Sequence, residues 1–381
     1  MIESEYDEYT IKFQYSKGNF GIDRKHGKAK RKEKFEYSKL PIIVDVAKEN
    51  VIRTQMVKYV EWVEEYFKFV NENIYSIECR AYYYKKNIKS VATVCEEYVN
   101  YYIIVMLSDT NSIAIDFQCD VYEKYRKSKI VAEVKRQLDN NNKIRNVKEK
   151  YCIEKHNIRN LFVFSGESAG FIIHEIVGHL SEDENSLDFW KTGNVVFPDG
   201  ITVVDNPKIK NFVGSFEFDD EGMPTDKKEI IKNGRINEFL VLASDRKSSG
   251  NARCENYYNL PRARMSNTYL INLNKDKCEG VLEKEYIYVY EISRGGVNYS
   301  FGEVYLVCKA LYFRDGEWYQ IPQIFIHENA MNFFKKIVRI GNNINFANSA
   351  WCIKNNNIAI PVKYGSPDII AETLGFSFIK E

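Results

Sequence analysis

Residues 161–184 read LFVFSGESAGFIIHEIVGHLSEDE, a short apolar strand running straight into a helix that carries two histidines. Ser165 offers a side-chain oxygen to the first unpaired N–H groups of that helix and is expected to be its N-cap. Glu167 suits the positive end of the first turn. One helix is therefore expected over 166–181. Within it His174, Glu175 and His179 form an HExxxH pattern. A lone histidine is most simply a satisfied surface or core residue. Two histidines with a glutamate beside the first, after the apolar run FII, point instead to a metal centre with an acid–base group next to it.

The spacing sets a geometric condition. On an α-helix, positions i and i+4 lie about 40° apart, but i and i+5 lie about 140° apart and cannot share a face. A π-bulge adds one residue to the turn and brings the pair back together. Gly178 would ease such a bulge, or the close approach of another segment, so a widened turn is expected there. Two histidines do not complete a catalytic zinc site, which usually takes three protein ligands and leaves a position open. Glu182 and Asp183 are near in sequence; His156, His327 and the eight cysteines are remote. Spacing does not choose among them.

Working outward, residues 45–74 repeat apolar residues at three-to-four spacing and read as helix. From 75 to 122, β-branched and aromatic runs separated by Lys-Asn and Asp-Thr-Asn turns read as antiparallel strands. An amphipathic helix is expected over 124–142. After residue 200 the chain is mostly β. FEFDDEGMP (216–224) reads as strand and acidic turn, and Asn233-Gly234 and Asp315-Gly316 mark hairpins. Two strands are expected around Gly295-Gly296, and a last helix near 328–340. The fold class is α+β: an N-terminal α+β domain on an antiparallel sheet (1–156) and a C-terminal mostly-β domain, antiparallel and barrel- or sandwich-like (157–381). The histidine helix lies at their junction.

Composition narrows the function. A hydrophobic fraction of 44% and an aromatic fraction of 14% describe a folded chain, and a net charge of +1 gives no overall field towards nucleic acid or an anionic membrane. The basic run 24–36 (RKHGKAKRKEKFE) lacks interleaved aromatics for base stacking and is expected to be a solvated hairpin or loop. No apolar run approaches the roughly 20 residues of a membrane helix. The first residues lack a signal-peptide pattern. The cysteines show no CxxC spacing, so reduced thiols in the cytoplasm are expected.

Several further blocks complete a pattern. With HEIVGHLSE (174–182) stand GSFEFDDEG (214–222), IIKNGRINEFL (230–240), GNARCENYYNLPRARMSNTY (250–269), GGVNYSFGEVYLV (295–307) and CIKNNNIAIPVKYGSP (352–367). In this order they resemble the TldD/PmbA family of metallopeptidases, and specifically its catalytic TldD-like members. The resemblance implies that Cys352 is the third metal ligand beside His174 and His179, that the ion is Zn2+, and that Glu175 is the general base. It also implies unfolded or leader-like peptides as substrates, bound in extended form. An edge strand could hold such a peptide through its backbone, with 262–269 as one wall. A homodimer, or a heterodimer with a related subunit, is implied as well. Two departures stand out. The family's glycine-rich loop after the cysteine is here Ile353 to Asn357, and fewer residues precede the metal helix than is usual, so loop shape and substrate access are expected to differ. The expected function is a zinc-dependent peptidase. The alternative is a non-catalytic peptide-binding partner with a structural metal, for which Glu175 would have no use.

Overall fold

The computed structural model describes every residue except 1–3, 32–34, 43–44, 91–92, 108–110, 146, 148–159, 183–188, 243–249, 275–284, 299, 349, 355–357 and 380–381. Alternating runs make the first layer. β1 (Ser4–Ser16) and β2 (Asn19–Arg31) form a hairpin across Lys17 and Gly18, both at positive φ (49° and 81°). That two-residue turn matches the twist of its strands. Then come β3 (Phe35–Lys39), α1 (Val46–Val70), β4 (Ile74–Lys89), β5 (Thr93–Leu107), β6 (Ser112–Cys119) and α2 (Lys127–Arg145). The strands pair in the order β3-β2-β1-β4-β5-β6, antiparallel throughout. Asp45 caps α1 by accepting from the Lys48 N–H, and Asn71 ends it in the left-handed conformation (φ 55°). The stripe Ile52, Met56, Val63 and Phe67 is buried against the sheet, each side chain contributing about 1.5–3 kcal/mol relative to exposure. The basic run lies on β2 and β3 as a hairpin, where Arg24 pairs with Glu49 at 2.6 Å and His26 with Asp7 at 3.1 Å.

The second half begins with β7 (Leu161–Phe164), α3 (Gly166–Ile173), β8 (Ile201–Asp205), β9 (Lys228–Lys232) and β10 (Arg235–Ile236). β11 (Ala252–Arg253), β12 (Arg262–Ala263), β13 (Asn267–Asn272), β14 (Glu285–Asn298), β15 (Glu303–Arg314) and β16 (Glu317–Gln320) follow. Last come β17 (Ile324–Asn329), α4 (Ala330–Lys335), β18 (Ile337–Ile340), β19 (Asn345–Phe346), β20 (Trp351–Lys354), β21 (Ile358–Pro361), β22 (Lys363–Ser366), β23 (Ile369–Glu372) and β24 (Phe376–Phe378). One sheet runs β10-β9-β8-β13-β22-β19; the other runs β18-β23-β7-β14-β15-β17-β24, with β16 on β15. β11–β12 and β20–β21 are separate two-stranded ladders. α3 touches β13, β19 and β22 of one sheet and β7 and β14 of the other. Its approach is close because a Cβ on Gly170 would lie 2.8 Å from the Cα of Gly365. Burying both helix faces between two sheets is what places the histidine segment in the core.

The mostly-β expectation holds in open sheets, with none closed into a barrel among the described strands. Two neighbouring pairs, β7–β14 and β13–β22, are parallel rather than antiparallel. Parallel pairing needs a long connection, and the chain passes through a helix (α3 in the first case, α4 in the second) and at least six strands before each return. FEFDDEGMP forms no strand; a single bridge, Phe218 to Pro224, closes its turn. β14 runs through Gly295 and Gly296 rather than turning there, because the two pair with Leu306 and Tyr305 of β15; Phe171 and the Tyr305 ring occupy the space a Cβ would take. The helix expected near 328–340 is limited to α4, because Ile337–Ile340 pairs with β23 instead. The expected domain boundary at 156/157 falls outside the described residues.

Candidate metal centre

α3 starts as its sequence predicts, with Ser165 Oγ accepting from the Ser168 N–H at 3.3 Å. It then widens. His174–Gly178 is a π-turn in which the His179 N–H donates to the His174 carbonyl, one residue further than an α-helix allows. The extra residue returns both imidazoles to one side, with ring centroids 5.0 Å apart. Gly178 is required by packing as well: a Cβ there would sit 1.8 Å from Met265 Sδ.

The third donor arrives from the hairpin β20–β21. Cys352 Sγ lies 3.4 Å from His179 Nε2, and one donor atom from each of His174, His179 and Cys352 fits within 4.8 Å of the others. It is the only such group of three or more among the described residues. All three are nearly inaccessible, at 2%, 5% and 2% exposure. Buried polar groups are normally paired, yet His174 Nδ1 has no hydrogen-bond partner. An orphaned imidazole nitrogen beside a second imidazole and a thiol fits a borderline-soft ion such as zinc. Burial alone would raise the Cys352 thiol, but His179 and His174 hold it well below the usual thiol range, as a metal ligand requires. Burial disfavours a charged His179, but Glu182 and Cys352 overcome this and hold it well above the usual imidazole range. Glu175 points to the same place, its Oε2 3.9 Å from His179 Nε2 and its side chain 15% exposed. Burial raises its carboxyl despite both histidines.

Among the other ligands considered, Glu182 meets His179 through Nδ1 at 2.9 Å, while His327 lies on β17 against Glu303. Asp183, His156 and residues 355–357 of the altered loop lie outside the described residues. Trp351, adjacent to Cys352, faces the N-terminal sheet and stacks on Tyr102 at 5.3 Å. A cavity of about 170 Å³ lies on that side, lined by Tyr82, Tyr84, Tyr98, Lys86, Arg253 and Trp351 among others. Neighbouring strand residues point to opposite faces, so Trp351 and Cys352 lie on opposite sides of the hairpin.

Sequence reasoning missed the residues that brace this centre. Asp205, fully buried, accepts from the Ser266 N–H at 2.8 Å, Ser266 Oγ at 2.7 Å and Thr268 Oγ1 at 2.9 Å. It thereby fixes the segment that carries Met265. Asp219 accepts from the N–H groups of Glu221, Met223 and Ala252, and Asp220 from that of Cys254. Asp220 also meets Lys86 at 3.0 Å, so the acidic block clasps β11 to the N-terminal sheet. An isolated aspartate after an apolar strand gives no sequence signal of such a role.

Residues 161–377 match the family described as PmbA/TldA metallopeptidase C-terminal domain. The "Metalloprotease TldD homolog" of Buchnera aphidicola subsp. Schizaphis graminum is 30% identical over 223 residues, 54% of this chain and 45% of that protein. The "Zinc metalloprotease TldD homolog" of Saccharolobus solfataricus is 30% identical over 227 residues, 56% of this chain and 50% of that protein. The matched region is thus about half the length of these curated relatives. The crystal structure of TldE from Thermococcus kodakarensis shares the fold, with a TM-score of 0.68 over 98% of this chain and 96% of that one, at 12% identity. With its family-defining region spanning both C-terminal sheets and all three buried donors, the chain belongs to the PmbA/TldA metallopeptidase family.

Proposed function

We propose that this chain is a zinc-dependent peptidase acting on unfolded or leader-like peptides bound in extended form. The observation that carries the reading is the convergence of His174, His179 and Cys352 in the core with Glu175 beside them. These three side chains would hold the zinc. The ion supplies Lewis-acid assistance to amide hydrolysis when bound. Glu175 does the proton work: its carboxylate takes a proton from the attacking water and delivers it to the leaving nitrogen. Its residual exposure leaves it within reach of a substrate that the buried ligands cannot touch. The ladders β11–β12 and β20–β21 are each two strands wide and flank the centre, which supports strand-like addition of a peptide backbone. We further propose that the chain works as a homodimer or beside a related subunit, in the cytoplasm; no described helix is long and apolar enough to cross a membrane.

Cleavage of an unstructured peptide by the zinc-loaded chain and by Glu175→Ala tests this directly. The wild type is expected to cleave, and the variant to keep its zinc while losing on the order of 100-fold or more in rate. Stoichiometric zinc without cleavage by the wild type, alone or with a related subunit, would overturn the enzyme reading.

A further inference from the structure

Two of the three donors are linked by a buried chain of polar contacts that the reaction does not itself require. Glu182 Oε2 lies 2.9 Å from His179 Nδ1. Its other oxygen, Oε1, is 3.5 Å from Arg264 Nε, and the two side chains are 1% and 3% exposed. Arg264 Nη2 then donates to the Cys352 carbonyl at 2.9 Å. We propose that Arg264, acting through Glu182, is a positioning residue for the metal centre, locking His179 and Cys352 into one geometry. The proposal rests on the reading that these donors hold zinc.

The argument is stereochemical. An imidazole presents one lone pair when neutral, and the nitrogen that keeps it is decided by what the other nitrogen donates to. Glu182 accepts at Nδ1, so Nε2, the nitrogen facing Cys352 Sγ, is left as the donor to a metal. A carboxylate on a short turn could swing away. Arg264 prevents this, because a guanidinium is a rigid planar fork able to hold a carboxylate and a carbonyl at once. Its own backbone is fixed: its N–H donates to the Asn251 carbonyl at 3.0 Å, and Asp205 pins Ser266, two residues further on. The second prong acts on the backbone of the ligand itself, which steadies a hairpin whose following loop lacks the family's glycines. Lysine, with one compact cationic head, does not present that planar fork.

The double variant Glu182→Met/Arg264→Met removes both charges together, so neither is stranded, and such replacements of buried ion pairs are often neutral for stability. The full-length variant is expected to melt near the wild-type temperature. In competition with a zinc chelator it should bind zinc about 10–100-fold more weakly. Its cobalt(II)-substituted form should show an altered thiolate-to-cobalt absorption band, which a merely structural role would not move. Zinc affinity within about twofold of wild type, with an unchanged cobalt band, would overturn the positioning role. His174→Ala run alongside separates the two claims: if it too binds zinc as the wild type does, the metal reading itself has failed. Should the double variant not fold, Arg264→Lys, which keeps charge and bulk, carries the same comparison with the same two outcomes.

Discussion

Gly178 is where the metal turn meets the rest of the core. Met265 packs against it so closely that any Cβ would overlap the thioether sulfur, and Met265 cannot retreat easily because Asp205 anchors the next residue. Gly178→Ala is therefore expected to destabilise the fold by about 1–3 kcal/mol, the usual cost of overpacking, and to weaken zinc binding by displacing His179. Adding Met265→Ala removes the obstruction, so the double variant should regain zinc affinity relative to Gly178→Ala alone. Chelator competition on the three proteins checks this; equal affinity for Gly178→Ala and wild type would contradict it.

At the scale of elements, the β-hairpins show which signals are local. Asn233-Gly234 and Asp315-Gly316 were legible because both turns need positive φ at both residues, and each has it. They differ in surroundings. A Cβ on Gly234 would meet the Phe197 carbonyl at 2.3 Å, whereas one on Gly316 meets nothing within 4 Å. Gly316→Ala should cost only the backbone term of about 1–2 kcal/mol, and Gly234→Ala clearly more, as read by urea unfolding; the reverse order would refute this account of the turns. The π-turn was legible for a similar reason, since an i, i+5 pair that must converge leaves few geometries. The hairpin β1–β2 was legible only in part: Tyr9, Ile11, Phe13 and Tyr15 alternate with polar residues along β1, but the Lys- and Arg-rich second half of β2 reads as a solvated run. The parallel pairs β7–β14 and β13–β22 depend on contacts far apart in sequence, and no local pattern reports them. Cys352 was reached through resemblance: spacing could not pick it from eight cysteines, and only the tertiary fold brings its thiol within 3.4 Å of His179 Nε2.

Across the whole molecule, the N-terminal sheet and the metal centre are joined through buried charge. Lys363 on β22 pairs with Asp116 on β6 and donates to the Ala347 carbonyl at 2.9 Å and Asn348 Oδ1 at 2.8 Å. Its neighbour Tyr364 lies against His174, with rings 5.3 Å apart. Lys363→Met alone leaves Asp116 without its cation in the interior and is expected to cost about 3–5 kcal/mol, while Asp116→Leu/Lys363→Met should recover most of it. Equal melting temperatures for the single and double variants would contradict this. The central claim is that His174, His179 and Cys352 together hold the zinc that hydrolysis needs. It is tested most directly by stripping the chain with a chelator and titrating zinc back while following cleavage of an unstructured peptide. The account predicts that activity vanishes on stripping and returns at one equivalent of zinc in the wild type, but does not return at that ratio in Cys352→Ser. Activity that survives stripping, or that Cys352→Ser recovers in full at one equivalent, would contradict it.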